Sequence, residues 1–544
     1  MATSESSESN EFLPVPSKSG VNDVDVEQLE VDKLRKNALN LSTIALLCIA
    51  AIAPAASMLF NVPVMASQAG ASVTLVFVLS SIGILLLGVS VLYFANRLSS
   101  AAGFSTWVRH GLGKGAAFQT GWLMIGGYAL FEAALQSTVG GALDPILSGI
   151  GFHVPGGWVT YAILLTILVG VLSYFSITTS IWVMAPFAIL EVLALVVLDG
   201  AISLRGGAAG HDVVHTFSLA GSLVKGAAPG GTLGIGIAMA LGILAFVGFE
   251  TAAAYGEEAK NPKRTIPVAV ISLIIGLAVL YTWTAYSATI GVGWQNAGSV
   301  LGNVANAQQQ YITLAGTFVG GWLGIALVVF VITSNFASGF AMHQAMVRYF
   351  YDMARAGIFP KIFSRTHPRW NSPYITSLVQ SIFSIVIIGF LGLVLQHTNK
   401  DGSSIYALGF ADGSYWQQTS GTVSFGWLAS VVTMCIIVVY IMTNVAAPLF
   451  ACSRGEVRVL PHIVAPILSV LLLLLPLASY LGPAIPGSVG EFFVNLGFAP
   501  TPFPSNILPL FVIIWVVIGL IYAAFLARRY PDRYERMGSI VRND

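Results

Sequence analysis

Charged side chains make up only 9% of this 544-residue sequence. A soluble domain usually carries about 25%, so the shortage excludes a soluble enzyme, a disordered protein and a nucleic-acid binder. The 25 basic and 24 acidic residues nearly cancel, and no polyanion partner is implied. Cysteine is equally scarce. Cys48, Cys435 and Cys452 stand far apart, which rules out a disulfide framework and metal-ligand spacing. No Gly-x-x-x-x-Gly-Lys-Ser/Thr loop occurs, so ATP-driven pumping drops out. No metal cluster or nucleophile constellation is visible, and neither a cofactor nor an enzymatic reaction is expected. The start of the chain lacks the basic flank and short apolar core of a cleavable signal.

Apolar residues fill the space that charge leaves: they are 56% of the chain, and mean hydropathy is +0.80. That composition reads as a polytopic membrane protein, all-α. A bilayer core about 30 Å thick needs about 20 apolar residues per helix. Twelve runs of that kind are expected, near 41–69, 71–95, 117–143, 157–178, 181–204, 232–257, 266–290, 311–352, 373–396, 424–451, 462–482 and 507–529. In lipid every backbone polar group needs a partner within its own segment, so these runs must be helices.

The basic residues test that count. With both termini in the cytoplasm, 22 of the 25 fall on the inner side, leaving Arg205, Lys225 and Lys400 outside. The organisation expected is a disordered cytoplasmic tail over 1–40 and a core over 41–482 with halves at 41–204 and 232–451. A twelfth-helix region at 483–530 and a cytoplasmic tail at 531–544 complete it. The expected setting is the plasma (inner) membrane, with the lipid bilayer as solvent.

Two spans are interrupted. The first carries Pro54 within Ile52-Ala53-Pro54-Ala55-Ala56-Ser57, then Pro63; the sixth carries Gly242 and Gly248 around Phe246-Val247. Proline removes a helical hydrogen bond, and glycine tolerates unwound backbone. Unwound backbone at membrane depth survives only where it is buried in protein or lines a cavity. Matched breaks five spans apart suggest inverted repeats with a ligand between them. A half-helix starting near Ser57 offers free N–H groups and the positive end of its dipole, which suit a carboxylate. Carbonyls freed near Phe246 suit an ammonium. Together they would grip both ends of a zwitterion; an amine without a carboxylate could use only the second. The expected binding residues are therefore Pro54, Ala55, Ala56, Ser57 and Met58 from the first break, and Ala245, Phe246, Val247 and Gly248 from the second.

At the sixth span a longer string appears: Gly248-Phe249-Glu250, then Glu257-Glu258, then Asn261-Pro262-Lys263-Arg264-Thr265-Ile266-Pro267. It resembles the signature of the amino acid–polyamine–organocation transporters, amino acid permease type. Arg348-Tyr349-Phe350-Tyr351-Asp352-Met353-Ala354-Arg355-Ala356-Gly357 resembles their motif at the end of the eighth span. The similarity in span order covers roughly 38–530. The resemblance implies a leucine-transporter-type fold of five plus five inverted helices and two more. It also implies alternating access for amino acids, polyamines or related amines. Departures exist. Where the family shows Gly-Ser-Gly-Ile-Phe, this chain has Ala55-Ala56-Ser57-Met58-Leu59, and alanine permits a less close approach than glycine. Leu244-Ala245-Phe246-Val247 replaces Phe-Ala-Tyr, which makes Phe246 the gate candidate.

Ionisable groups at membrane depth are costly and point to function. Glu191 stands where many proton-coupled relatives place a lysine; it reads either as a proton carrier or as a neutral acid tying helices together. Glu132 could hold a substrate ammonium or bond Gln136 one turn on. Glu250 reads as a brace for unwound backbone, and His343 as a packing residue. Sodium coupling is disfavoured, because the family's hydroxyl pair on the eighth span aligns with Ala337-Ser338 and leaves Ser338 alone. Glu257 and Glu258 read as a solvated loop, or as a gate of ion pairs with Arg97 or Arg109. The coupling candidates are Glu191, Glu132 and Ser338, with a proton as partner. The expected function is secondary transport of an amino acid or small amine, by symport or exchange. The rivals are a polyamine or inorganic-ion transporter, and a channel or receptor of the same fold.

Overall fold

The computed structural model describes residues 37–98, 102–175, 177–223, 234–303, 307–394, 396–398, 404–406, 420–496, 498 and 505–537. The basic residues of the N-terminal tail, together with Lys225 and Lys400, lie outside them. The chain opens with α1 (Leu41–Ile52) and α2 (Pro54–Ala69). Asn40 starts α1 by accepting the Thr43 N–H at 2.9 Å, satisfying one of the first-turn donors. Between the two helices Ala53 adopts φ 52°, ψ 67°, the left-handed region that a residue with a Cβ rarely enters. Pro54 causes this: it cannot continue α1, yet its fixed φ suits the first position of α2.

Next come α3 (Val73–Ala95), α4 (Gly103–Leu112), α5 (Lys114–Gly149), α6 (Trp158–Tyr174) and α7 (Ile177–Arg205). The second interrupted segment is α8 (Gly234–Leu244), six residues of turns, and α9 (Thr251–Ala254). It is followed by α10 (Pro262–Val292), α11 (Ala307–Phe318), α12 (Gly321–Arg355) and α13 (Tyr374–Gly389). Two short antiparallel strands with three residue pairs, β1 (Gln396–Thr398) and β2 (Ser404–Tyr406), interrupt the helices. The chain ends with α14 (Ser420–Ser453), α15 (Ala465–Leu481), α16 (Ser488–Asn495), α17 (Leu508–Arg529) and α18 (Pro531–Glu535).

Eight stretches of the described residues are long and apolar enough to cross a membrane, and the protein is a multi-pass membrane protein. One expected run is corrected. Residues 311–352 do not form a single helix: α11 stops at Phe318, and α12 begins at Gly321. Gly320 takes φ +148° there, which glycine permits and the unbroken apolar pattern hides. The C-terminal stretch also differs from a free tail. Arg109 donates to the carbonyl oxygens of Glu535 and Met537, Lys114 pairs with Glu535, and Met537 is fully buried.

The long helix α5 occupies the centre and packs against α4, α6, α12, α14 and α17. The two interrupted segments lie together, with α2 along α8 and α1 against α9. Lipid-side residues such as Leu164, Val279 and Ile325 are exposed, as a membrane helix requires of its outer face.

Candidate functional site

The two breaks meet through one glycine. Gly248 has φ +125°, and a Cβ there would stand 2.8 Å from both the Ile52 backbone nitrogen and Ile52 Cγ1. No other residue type lets the second break approach the first so closely. Glu250 holds this turn. Its Oε2 accepts the Gly248 N–H at 2.9 Å, and its Oε1 accepts the Tyr128 hydroxyl at 3.1 Å. Thr251 Oγ1 donates to the Gly248 carbonyl at 2.6 Å. Glu250 thus braces unwound backbone, as its position in the sequence suggested.

Beside the breaks lies a cleft. Its wall includes Ala53, Ala56 and Ser57 from the first break, Leu244 and Val247 from the second, and Asn335 and Ser338 from α12. Phe60, Asn61, Phe131 and Phe425 also line it. The empty space among them is about 330 Å³, counting what is open to solvent. No lining residue carries a charge. The Phe425 ring lies 6.0 Å from Phe60 and 6.5 Å from Phe131, centroid to centroid.

Of the nine residues expected to bind, Ala56, Ser57 and Val247 reach this cleft. Pro54, Ala55, Met58, Ala245 and Gly248 are buried around it without lining it. Phe246 is also buried and off the cleft, its ring edge-on to Tyr281 at 5.4 Å. Three lining aromatics, Phe60, Phe131 and Phe425, were missed. Two lie outside both breaks, and only Phe131's place beside Glu132 could have hinted at them.

The carboxylates expected to couple occupy separate places. Glu191 approaches the start of α2 from behind, and its Oε2 accepts the Ala55 N–H at 3.4 Å. Ser338 Oγ donates to the Ala51 carbonyl at 2.5 Å, fixing α12 to the end of α1. Glu132 neither reaches the cleft nor bonds Gln136, whose amide has no partner among the described residues. Instead both Glu132 oxygens lie 3.0 Å from His343 Nδ1. His343 Nε2 lies 2.8 Å from Ser377 Oγ, and Ser384 and Gln380 donate to Glu132. Both Glu132 and His343 are fully buried, so the histidine is a paired one rather than plain packing. Asp199, which sequence reasoning overlooked near the end of an apolar run, is buried and accepts the Thr284 hydroxyl at 2.5 Å.

The Glu257-Glu258 pair is corrected too. Its partners are not Arg97 and Arg109 but Arg348 and Arg355 of α12, at 2.7 Å from Glu258 and 2.6 Å from Glu257. The first of these pairs is buried. Arg97 instead bonds Glu456 at 2.8 Å. Leu39 seals the same end, its N–H on the Glu258 carbonyl at 3.0 Å and its carbonyl on the Lys260 N–H at 2.7 Å. These ion pairs and the Leu39 contacts tie the segment after α9 to the C-terminal end of α12 and to the start of α1.

The amino acid permease family model matches residues 43–490. A branched-chain amino acid permease of Bacillus subtilis is 25% identical over 57% of this chain and 66% of its own length. A vacuolar cationic amino acid transporter of Arabidopsis thaliana is 26% identical over 55% of this chain and 49% of its own. A methylthioribose transporter of Bacillus subtilis is 22% identical over 62% of this chain and 72% of its own. The chain thus spans about half to two thirds of the length of the first two relatives.

Proposed function

This chain belongs to the amino acid permease family, and we propose that it moves an amino acid or a related small amine across the plasma membrane by alternating access. The observation that carries this reading is the cleft at the contact of two broken helices, with a buried ion pair tying the segment after the second break to α12. A transporter needs such a pair of features: a site reachable from one face, and a barrier on the other that can be exchanged for an opposite one.

In this reading twelve spans form two inverted halves, 41–204 and 232–451, with both termini in the cytoplasm. The basic side is then the cytoplasmic side, and the Glu258–Arg348 pair serves as part of the inner gate. Phe246 serves as the gate. It follows the lining residue Leu244 by two positions, and closure would take its ring from Tyr281 toward the bound molecule. Glu191 is the proton carrier, set against the first break, with Ser338 as the tie that registers its movement and Glu132 as a more remote coupling group.

Uptake by the purified protein in liposomes tests the proposal. Labelled substrate should accumulate under an imposed pH gradient, and unlabelled substrate inside should accelerate entry by counterflow. Flux without counterflow would indicate a channel. Glu191→Gln should flatten the pH profile of uptake; an unchanged profile removes Glu191 from coupling. Phe246→Ala should abolish uptake in a protein that still folds, and normal uptake would remove Phe246 as gate.

A further inference from the structure

Asp199 is a buried acid that the transport reading leaves unused. It follows Glu191 on α7 at a distance of about 12 Å along the helix axis. Asp199 is 1% exposed, and its Oδ2 accepts the Thr284 hydroxyl of α10 at 2.5 Å. Its Oδ1 has no hydrogen-bond partner among the described residues. The neighbouring polar groups turn elsewhere. Ser287 Oγ donates to the Asp199 main-chain carbonyl at 3.4 Å, and Trp283 Nε1 donates to Ser203 Oγ at 3.0 Å.

The short helix α11 covers this place. It packs against α7, and its Tyr311 is fully buried within electrostatic reach of Asp199. The Tyr311 hydroxyl also has no hydrogen-bond partner among the described residues. No cation answers the acid. Arg205, further along α7, donates instead to the Thr317 carbonyl of α11 at 3.4 Å. On α10, Tyr281 meets Phe246 and Tyr286 meets His211. The remaining helices packed on α7 bring Cys48, Tyr161, Tyr174 and, on α12, the groups from His343 to Arg355. None of these acts on Asp199; Thr284 alone offsets its burial.

An ionised carboxylate at membrane depth, with one hydroxyl donor and no cation, is costly because nothing replaces its lost hydration. With a proton bound, the same group is neutral and asks for far less. Lifting α11 admits water, and the ionised form is then hydrated again. Seating α11 and protonating Asp199 are therefore linked.

We propose that Asp199 is a proton-binding site separate from Glu191, and that α11 seats over it only when the proton is bound. On the orientation proposed above this end faces outward, so the proton enters from outside as an outer lid closes. That sidedness rests on the permease reading; the site does not.

Infrared difference spectra of the full-length protein in detergent test the site. Subtracting Asp199→Asn from the parent at neutral pH should leave the carbonyl stretch of one protonated carboxyl. Thr284→Val removes the bond to Oδ2 and should shift that same band, which keeps the assignment testable if the asparagine variant does not fold. Hydrogen–deuterium exchange of the α11 amides tests the lid. One proton taken up on closing makes opening up to about tenfold more frequent per pH unit. Exchange in α11 should rise with pH more steeply in the parent than in Asp199→Asn, by up to that factor, because the asparagine cannot ionise. Spectra in which neither variant changes an acid band would show Asp199 ionised, with water or a metal cation for partner, and would overturn the proton site. Equal slopes of exchange would overturn its link to α11. Neither measurement involves flux, so either failure leaves the permease reading standing and still open to the counterflow assay.

Discussion

Gly248 shows how much one missing Cβ can fix. Its positive φ and its 2.8 Å clearance to Ile52 leave no room for a methyl group. Gly248→Ala must strain the turn or push the breaks apart, at a cost of about 1–3 kcal/mol. A lower melting temperature and a loss of uptake of at least about tenfold are expected; a wild-type melt would show that the contact gives way easily. The glycine was legible in the sequence, since a Gly-Phe-Glu string at membrane depth asks for unwound backbone. Its partner Ile52 was not. Glu132 and His343 make the same point more strongly. They are 211 residues apart, each alone in its own apolar run, and read separately as a possible ligand group and as packing. Folding makes them one network. Removing His343 takes one partner from a buried carboxyl that Ser384 and Gln380 still bond, at a cost of about 1–3 kcal/mol. His343→Ala should therefore lower stability by that order, while the double variant Glu132→Gln/His343→Gln loses much less than the sum of its singles. Additive losses in thermal melts would show that the two are not coupled.

At the scale of elements, the breaks and the ion pairs divide the work. Pro54 ends α1 and starts α2, and that division could be read directly from the residues. The division between α11 and α12 could not, because Gly320-Gly321 sits in an apolar stretch with no polar punctuation. The acidic pair after α9 was read as a loop since nothing local distinguishes a solvated glutamate from one that α12 will meet. Arg348 holds Glu258 in a buried pair, with its guanidinium also 4.8 Å above the Tyr255 ring. Arg348→Met leaves Glu258 buried and unpaired, and opening this end to water relieves that cost. A cysteine placed at Ala253, which is buried here, should then react with a maleimide at least about tenfold faster than in the parent. An unchanged rate would mean that the pair does not hold the end closed.

Across the whole molecule, the basic side is also where acid should act first. Arg454 holds Glu456 below the usual carboxylate range against the opposing effect of burial, with help from Tyr93 and Arg97. Lys114 does the same for Glu535. A carboxylate with a lowered folded-state pKa contributes stability above its unfolded value of about 4.3, and that contribution disappears as pH falls through the folded value. Melting temperature should therefore hold steady from neutral pH down to about pH 5 and fall below it, less steeply in Glu456→Gln. A variant with the same acid slope as the parent would show that the tie between the ends of α3 and α14 carries no stability. Hydropathy by itself determined the class of this protein and most of its helices, and proline and glycine within the apolar runs marked the two helix breaks. Lipid requires the backbone to satisfy itself within each segment, so those features are local and leave a local trace. Only the tertiary structure decided that Glu191 takes the Ala55 N–H, that Glu132 turns to His343 rather than to the cleft, and that Phe60, Phe131 and Phe425 line it while Phe246 does not. Each of these depends on which faces of distant helices meet, and at a helical pitch a small rotation exchanges one face for another.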